Sequence, residues 1–223
     1  MAFPVVEATN HSVEASNTTT HTVSLPAGIQ AGETLLVFFS CDSVETVTFP
    51  EGWTKIKEES YSTWITLAVA WRKADGEEGA SITVTTGTDE ESAHISYRIS
   101  GATDPTSTPP EVSAGANSYG DTPDPASLTA GGGSKEYLWI AVEGNDDDEP
   151  VTDYPTNYTN GETYASSEAF SACSIGIARR NLETDTENPG AFTIADEEAW
   201  AACTVAVYPA IAAVGRSFGY IIG

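Results

Sequence analysis

One stretch of this sequence comes back about a hundred residues later, and a chain carrying two copies of one pattern is constrained to fold as two copies of one structure. The first copy is LPAGIQAGETLLVFFSCDSVETVTFPEGWT, from Leu25 to Thr54. The second opens with SLTAGGGSKEYLWIAVEGND near Ser127 and reaches TDYPTNYT by Thr159. Leu35 answers Leu138 at an offset of 103, while Pro50 answers Pro155 and Trp53 answers Tyr158 at 105. Further on, Val69 answers Ile175 at 106 and Tyr97 answers Val205 at 108. The offset only grows, as it does when a duplicated unit gains residues in its loops. What persists is an apolar strand, a proline-bearing turn and an aromatic after it; the polar residues between them do not. A packing scheme has been copied, so function is expected at the edges and tail of the scaffold.

The periodicity within each copy is that of β structure. THTVSL (Thr20 to Leu25), VETVTF (Val44 to Phe49), SITVTT (Ser81 to Thr86) and HISYRI (His94 to Ile99) alternate polar and apolar residues, the pattern of half-buried strands. Leu35 to Cys41 is continuously apolar but for Ser40, as expected of a strand covered on both faces. Leu67, Val69 and Trp71 are expected on one face, with Thr66, Ala68 and Ala70 on the other. No window has a convincing helical period. Short strands with turn signals between them predict an all-β chain, read as two tandem β-sandwich units of immunoglobulin-like or jelly-roll type. The first unit is assigned to residues 1–103 and the second to 123–210. Between them, 104–122 is read as a semi-rigid, proline-rich linker. The apolar end, 211–223, has no acidic residue and is read as an arm that packs on its own domain or docks on a partner through Ile211, Val214, Phe218, Tyr220, Ile221 and Ile222.

Charge excludes some functions. With 33 Asp and Glu against 9 Lys and Arg, the formal net charge is −24, a field that repels nucleic acid and anionic membranes. No apolar run approaches the ~20 residues needed to span a bilayer, and MAFPVVEATNHS lacks the basic and apolar regions of a signal peptide. Cys41, Cys173 and Cys203 have no metal-ligand spacing and sit in expected strands, as small buried hydrophobes do; a Cys173–Cys203 bridge requires their strands to be neighbours.

The chemistry-bearing patterns are few. GNDDDEP places Asp146, Asp147, Asp148 and Glu149 together in a loop, an oxygen-rich set of the kind that can hold Ca²⁺, although ligands do not alternate with spacers as in an EF-hand. His94 is expected to face outward beside Ser96 and Arg98. No G-x-S-x-G elbow, H-E-x-x-H helix or phosphate-binding glycine loop is present, and among so many carboxylates no catalytic pair stands out. The chain is read as non-enzymatic. Trp53 and Tyr158 sit where an exposed ring could stack on a sugar, but an aromatic retained through sequence drift better suits a plug at the end of the core.

The segments LPAGIQAGETLLVFF (Leu25 to Phe39), FPEGWT (Phe49 to Thr54), AVAWRKADGEEGASITVT (Ala68 to Thr85) and AHISYRISGA (Ala93 to Ala102) resemble β-sandwich domains of tailed-virus virion proteins. The resemblance covers residues 20–103 and reaches the second copy only through the repeat, where Asn157 stands in place of Gly52. It implies a non-enzymatic virion structural protein without catalytic residues or a cofactor. The expected role is a capsid decoration or head-surface protein, assembled in the host cytoplasm, homo-oligomeric on the particle and bound to capsid or tail proteins. A tail or fibre component is the near alternative, and a glycan-binding adhesin is the alternative from a different class.

Overall fold

The apolar runs found in the sequence become the central strands of a five-stranded layer and a six-stranded layer. A computed structural model describes residues 2–167 and 172–211, and no helix occurs among them. The first copy supplies β1 (Val5–Ser24), β2 (Thr34–Asp42), β3 (Thr54–Tyr61), β4 (Ile65–Lys73) and β5 (Ser81–Ser100). The second supplies β6 (Glu111–Val112), β7 (Ala116–Gly120), β8 (Leu128–Thr129), β9 (Lys135–Asp146), β10 (Val151–Asp153), β11 (Thr159–Ala165), β12 (Cys173–Thr184), β13 (Thr186–Glu187), β14 (Thr193–Ile194) and β15 (Glu198–Val207). The first sheet runs β1-β5-β2-β4-β3. The second runs β11-β12-β9-β15, closed by β6 and β7 in line along β15. Read from the other edge, the two orders are the same, and every pairing in them is antiparallel. The duplication is thus a duplication of topology.

Each copy is one sheet and not a sandwich of its own. Leu36, Phe38, Leu67, Val69, Ile95 and Tyr97 of the first sheet meet Leu138, Ile140, Val142, Ile175, Ile177 and Val205 of the second in a single shared core. A sheet half this size has only one face it can bury against a like partner, and here the partner is the other copy. The two-sandwich expectation is corrected accordingly: residues 1–103 and 123–210 are the two layers of one sandwich. Residues 104–122 are not a free linker either, because β6 and β7 pair with β15 as the second sheet's edge.

Each sheet also has a covered outer face. In the first copy the long β1–β5 ribbon loses register between Glu14 and Thr20 and folds back, so that Ser24 N–H donates to Ser12 Oγ at 2.9 Å and Asn10 Nδ2 to the Leu25 carbonyl at 2.9 Å. Val23, Val84, Val37, Phe39 and Val47 pack beneath it. In the second copy the short pairs β8–β13 and β10–β14 do the same over Tyr137, Trp139, Ala178 and Phe192. This double cover explains why β2 is apolar at almost every position.

The strand faces correct part of the residue matching. Leu36 and Phe38 point into the shared core, as do Leu138 and Ile140; Leu35 therefore points the other way, and pairing it with Leu138 is one residue out of register. Ser40 and Gly144 meet across the sandwich: a Cβ on Gly144 would stand 2.5 Å from Ser40 Oγ. That contact, and the strand ends Asp42 and Asp146, set the offset between β2 and β9 at 104. Leu36 pairs with Tyr97 as Ile140 pairs with Val205, which agrees with the 97–205 match. Phe38 pairs with Val69 as Val142 pairs with Ile177, so Val69 answers Ile177, two residues beyond Ile175 on the same face. The exchange of Gly52 for Asn157 is conservative in backbone terms. Both have φ in the left-handed region, 87° and 69°, which glycine and asparagine tolerate best, and each turn closes on its aromatic, Trp53 N–H on Pro50 O and Tyr158 N–H on Pro155 O.

Candidate functional site

β2 and β9 end at the same end of the sandwich, and three of the acidic runs of the sequence come together there. Asp42 and Asp146 are the last residues of their strands; Asp147 to Glu149 follow β9, Asp196 to Glu198 lead into β15, and Asp89 and Glu90 lie in β5. Burial, followed by repulsion from Glu90, Asp147 and Glu91, raises the Asp42 carboxyl to about 6. Burial, followed by Asp42, Asp147 and Glu198, raises Asp146 to about 7. Glu90, Asp147, Glu149 and Glu198 are raised too, each chiefly by burial.

No base offsets this pole among the described residues. Every described Lys and Arg is engaged elsewhere: Lys55 with Glu58, Lys57 with Glu59, Arg72 with Asp75, Lys73 with Asp104, Arg98 with Glu33 and Arg180 with Glu187. Lys135 and Arg179 lie over the rings of Tyr208 and Tyr97. Arg72, Arg98 and Lys135 lie at the far end of their strands, where Asp75, Glu78 and Glu33 pair with the two arginines.

A cleft of about 460 Å³ opens in the acidic pole, lined by Tyr61, Trp64, Tyr119, Asp146, Asp147, Glu198 and Ala199. Trp64 stands on the tight β3–β4 turn, where its N–H donates to Tyr61 O at 3.1 Å and its carbonyl accepts Ser43 N–H at 2.8 Å. Tyr119 lies on β7 opposite Ala199. The two rings are 54% and 56% exposed, in a fold that buries most of its large apolar side chains. Glu198, followed by burial, raises the Tyr119 hydroxyl. Exposed rings set among ionisable carboxylates can hold a cation or stack on a sugar.

The residues singled out in the sequence fall elsewhere. Tyr158 is buried in the outer core of the second sheet with its hydroxyl on Glu187 at 3.2 Å. Trp53 is half-buried, stacked on Phe49 against the outer core of the first. Both are plugs, as their persistence through the repeat suggested. Asp146, Asp147, Asp148 and Glu149 lie at the end of β9 and in the loop after it, and among the described residues no three His, Cys, Asp or Glu side chains are grouped as metal ligands. Ile211 is exposed; Val214, Phe218, Tyr220, Ile221 and Ile222 lie outside the described residues. Cys41, Cys173 and Cys203 are buried and free. β12 and β15 flank β9 on opposite sides, so Cys173 and Cys203 are not on neighbouring strands.

Trp64 and Tyr119 were passed over because each is a lone aromatic beside a turn or within the supposed linker. The acidic runs were visible; their convergence was not.

Two buried polar clusters lie away from the cleft. His94, expected to face outward, is wholly buried under the folded-back ribbon. It belongs to a hydrogen-bond chain whose direction is determined throughout. Thr86 Oγ1 donates to Thr88 O at 2.8 Å and so accepts from His21 Nε2–H at 2.9 Å. His21 Nδ1 then accepts from Ser92 Oγ at 2.6 Å, and Ser92 accepts from His94 Nε2–H at 2.7 Å. His94 Nδ1 accepts from Ser12 Oγ at 3.0 Å. Every proton is used with both rings neutral, and burial lowers His21 to about 4 and His94 to about 3. In the second copy, burial raises the enclosed Glu143 carboxyl to about 8, against a 3.1 Å hydrogen bond from Asn145 Nδ2.

Comparison with family models, curated proteins and solved structures finds no match for this chain.

Proposed function

We propose that this chain is a non-enzymatic structural and recognition protein whose contact surface is the acidic pole. One observation carries the proposal: Trp64 and Tyr119 stand open to solvent in a cleft whose carboxylates have no Lys or Arg beside them among the described residues. A sandwich with one shared core and both outer faces covered offers a stiff body. Its exposed rings and unbalanced charge are then the groups left to meet a partner.

The setting that the sequence resemblance implies is a virus particle, with the chain as a capsid decoration or head-surface protein bound to shell proteins, or as a tail or fibre component. Particles assembled with the Trp64→Ala/Tyr119→Ala double variant should contain far less of it than of the unmodified chain. Normal incorporation of the folded double variant would remove the cleft from particle binding. The exposed rings also favour a second reading, a glycan-binding adhesin acting through this cleft rather than through Trp53 or Tyr158. An array of glycans probed with the chain and with the double variant separates the two.

A further inference from the structure

We infer that the cleft between Trp64 and Tyr119 is a cage for a basic side chain, an arginine or lysine carried by a polypeptide partner. The inference rests on reading the acidic pole as the recognition surface, and it specifies the chemistry of the ligand.

Three features of the cleft point to a cation. Its rings come from separate elements: Tyr61 from the end of β3, Trp64 from the turn after it and Tyr119 from β7 of the other sheet. Rings that line one cleft from separate elements can offer an electron-rich face to a guest, and such faces attract ammonium and guanidinium groups. The charged groups among the rings, Asp146, Asp147 and Glu198, only accept hydrogen bonds when ionised, and ammonium and guanidinium groups only donate them. A sugar hydroxyl both donates and accepts; the side-chain donors in the lining are the Trp64 indole N–H and the Tyr61 and Tyr119 hydroxyls, and the three carboxylates beside them, when ionised, favour a guest that only donates. Finally, burial and mutual repulsion hold these carboxylates away from their ordinary ionisation, and a bound cation relieves that repulsion where no described Lys or Arg does. The backbone that carries the rings is set in advance, because the Trp64 turn is closed by backbone hydrogen bonds and Tyr119 is held in strand pairing with Ala199. Binding then has side chains to order and no loop.

The test is an NMR titration of the full chain that follows the Trp64 indole signal. The probes are a glycine–serine hexapeptide with one central arginine, the same peptide with citrulline, and neutral maltohexaose. The arginine peptide should shift the indole saturably, with the citrulline peptide at least tenfold weaker. Trp64→Ala and Tyr119→Ala leave the net charge unchanged; with backbone signals as reporters, each should weaken arginine-peptide binding at least tenfold, in protein whose thermal midpoint is retained. Equal binding by these variants would reduce the effect to bulk charge and overturn the cage, as would equal binding of the citrulline peptide. Saturable binding of maltohexaose alone would overturn the cationic assignment while leaving the pole as the recognition surface. Silence of the indole toward all three probes, with normal particle incorporation of the double variant, would overturn both.

Discussion

At the scale of single residues, the decisive groups are ionisable side chains whose charged forms the fold disfavours. His21 and His94 have folded pKa values below the 6.5 of the free side chain. Their contribution to stability is therefore whole above about pH 6.5 and is lost as pH falls toward 4 and below, because the unfolded chain binds the extra protons. The carboxyls act in the opposite sense. Glu143, Asp146 and Asp42 are raised to about 8, 7 and 6, so the folded state binds more protons and loses stability as pH rises from about 4 through those values. The two effects oppose each other between pH 4 and 6.5, and single substitutions can separate them. Glu143→Gln keeps the shape and the bond from Asn145 while removing the charge. It should raise the unfolding free energy at pH 8 by about 4 kcal/mol and by almost nothing at pH 4, as read by urea denaturation at both pH values. For the histidines, the ring NMR signals of His21 and His94 should stay those of the neutral Nε2–H tautomer from pH 8 down to pH 5. A midpoint near 6.5 for either would contradict the hydrogen-bond chain described here.

At the scale of elements, the central strands were legible and their covers were not. Continuous apolarity in Leu35 to Cys41 announces burial on both faces, and alternation in β4 and β5 correctly assigned Leu67, Val69, Ile95, Tyr97 and Ile99 to the inner face. Outward placement of His94 failed because alternation tells only that two faces differ. It does not tell that β1 will bend at Glu14–Thr20 and return over one of them. The proline-rich stretch misled for a related reason: β6 and β7 are too short to show a period, and only pairing with β15 makes them strands. The contact between Ser40 and Gly144 is the tightest test of how the two central strands face one another. Gly144→Val should push the sheets apart and destabilise the chain by about 1–3 kcal/mol, the usual range for overpacking; an unchanged denaturation midpoint would show that β2 and β9 do not meet there.

At the scale of the whole molecule, one core shared by two copies has a consequence that two independent sandwiches would not. Residues 1–103 alone would expose Leu36, Phe38, Ile95 and Tyr97, and residues 104–223 alone would expose Ile140, Val142, Ile177 and Val205. Expressed separately, neither half should give a cooperative thermal transition, whereas mixing the two should restore one. A stable, cooperatively folded half would contradict the shared core. The acidic pole has its own test. Screening shortens from roughly 10 Å at 0.1 M salt to roughly 3 Å at 1 M, so the thermal midpoint should rise with sodium chloride as repulsion among the carboxylates of the acidic pole falls. A flat or falling midpoint would show that the pole carries little repulsion.

The all-β class, the repeat, the inner faces of β4 and β5 and the acidity were legible in the chain, because they depend on residue type and on periods of two that neighbouring residues share. That the copies are two layers of one sandwich, and that the β1–β5 ribbon folds back over two histidines, became visible in the folded protein. The folded protein also shows that acidic runs some fifty residues apart, at Asp89, Asp146 and Asp196, end at one pole around Trp64 and Tyr119. The reason is physical: an apolar sheet face specifies that it must be covered, but nothing local specifies which distant segment covers it.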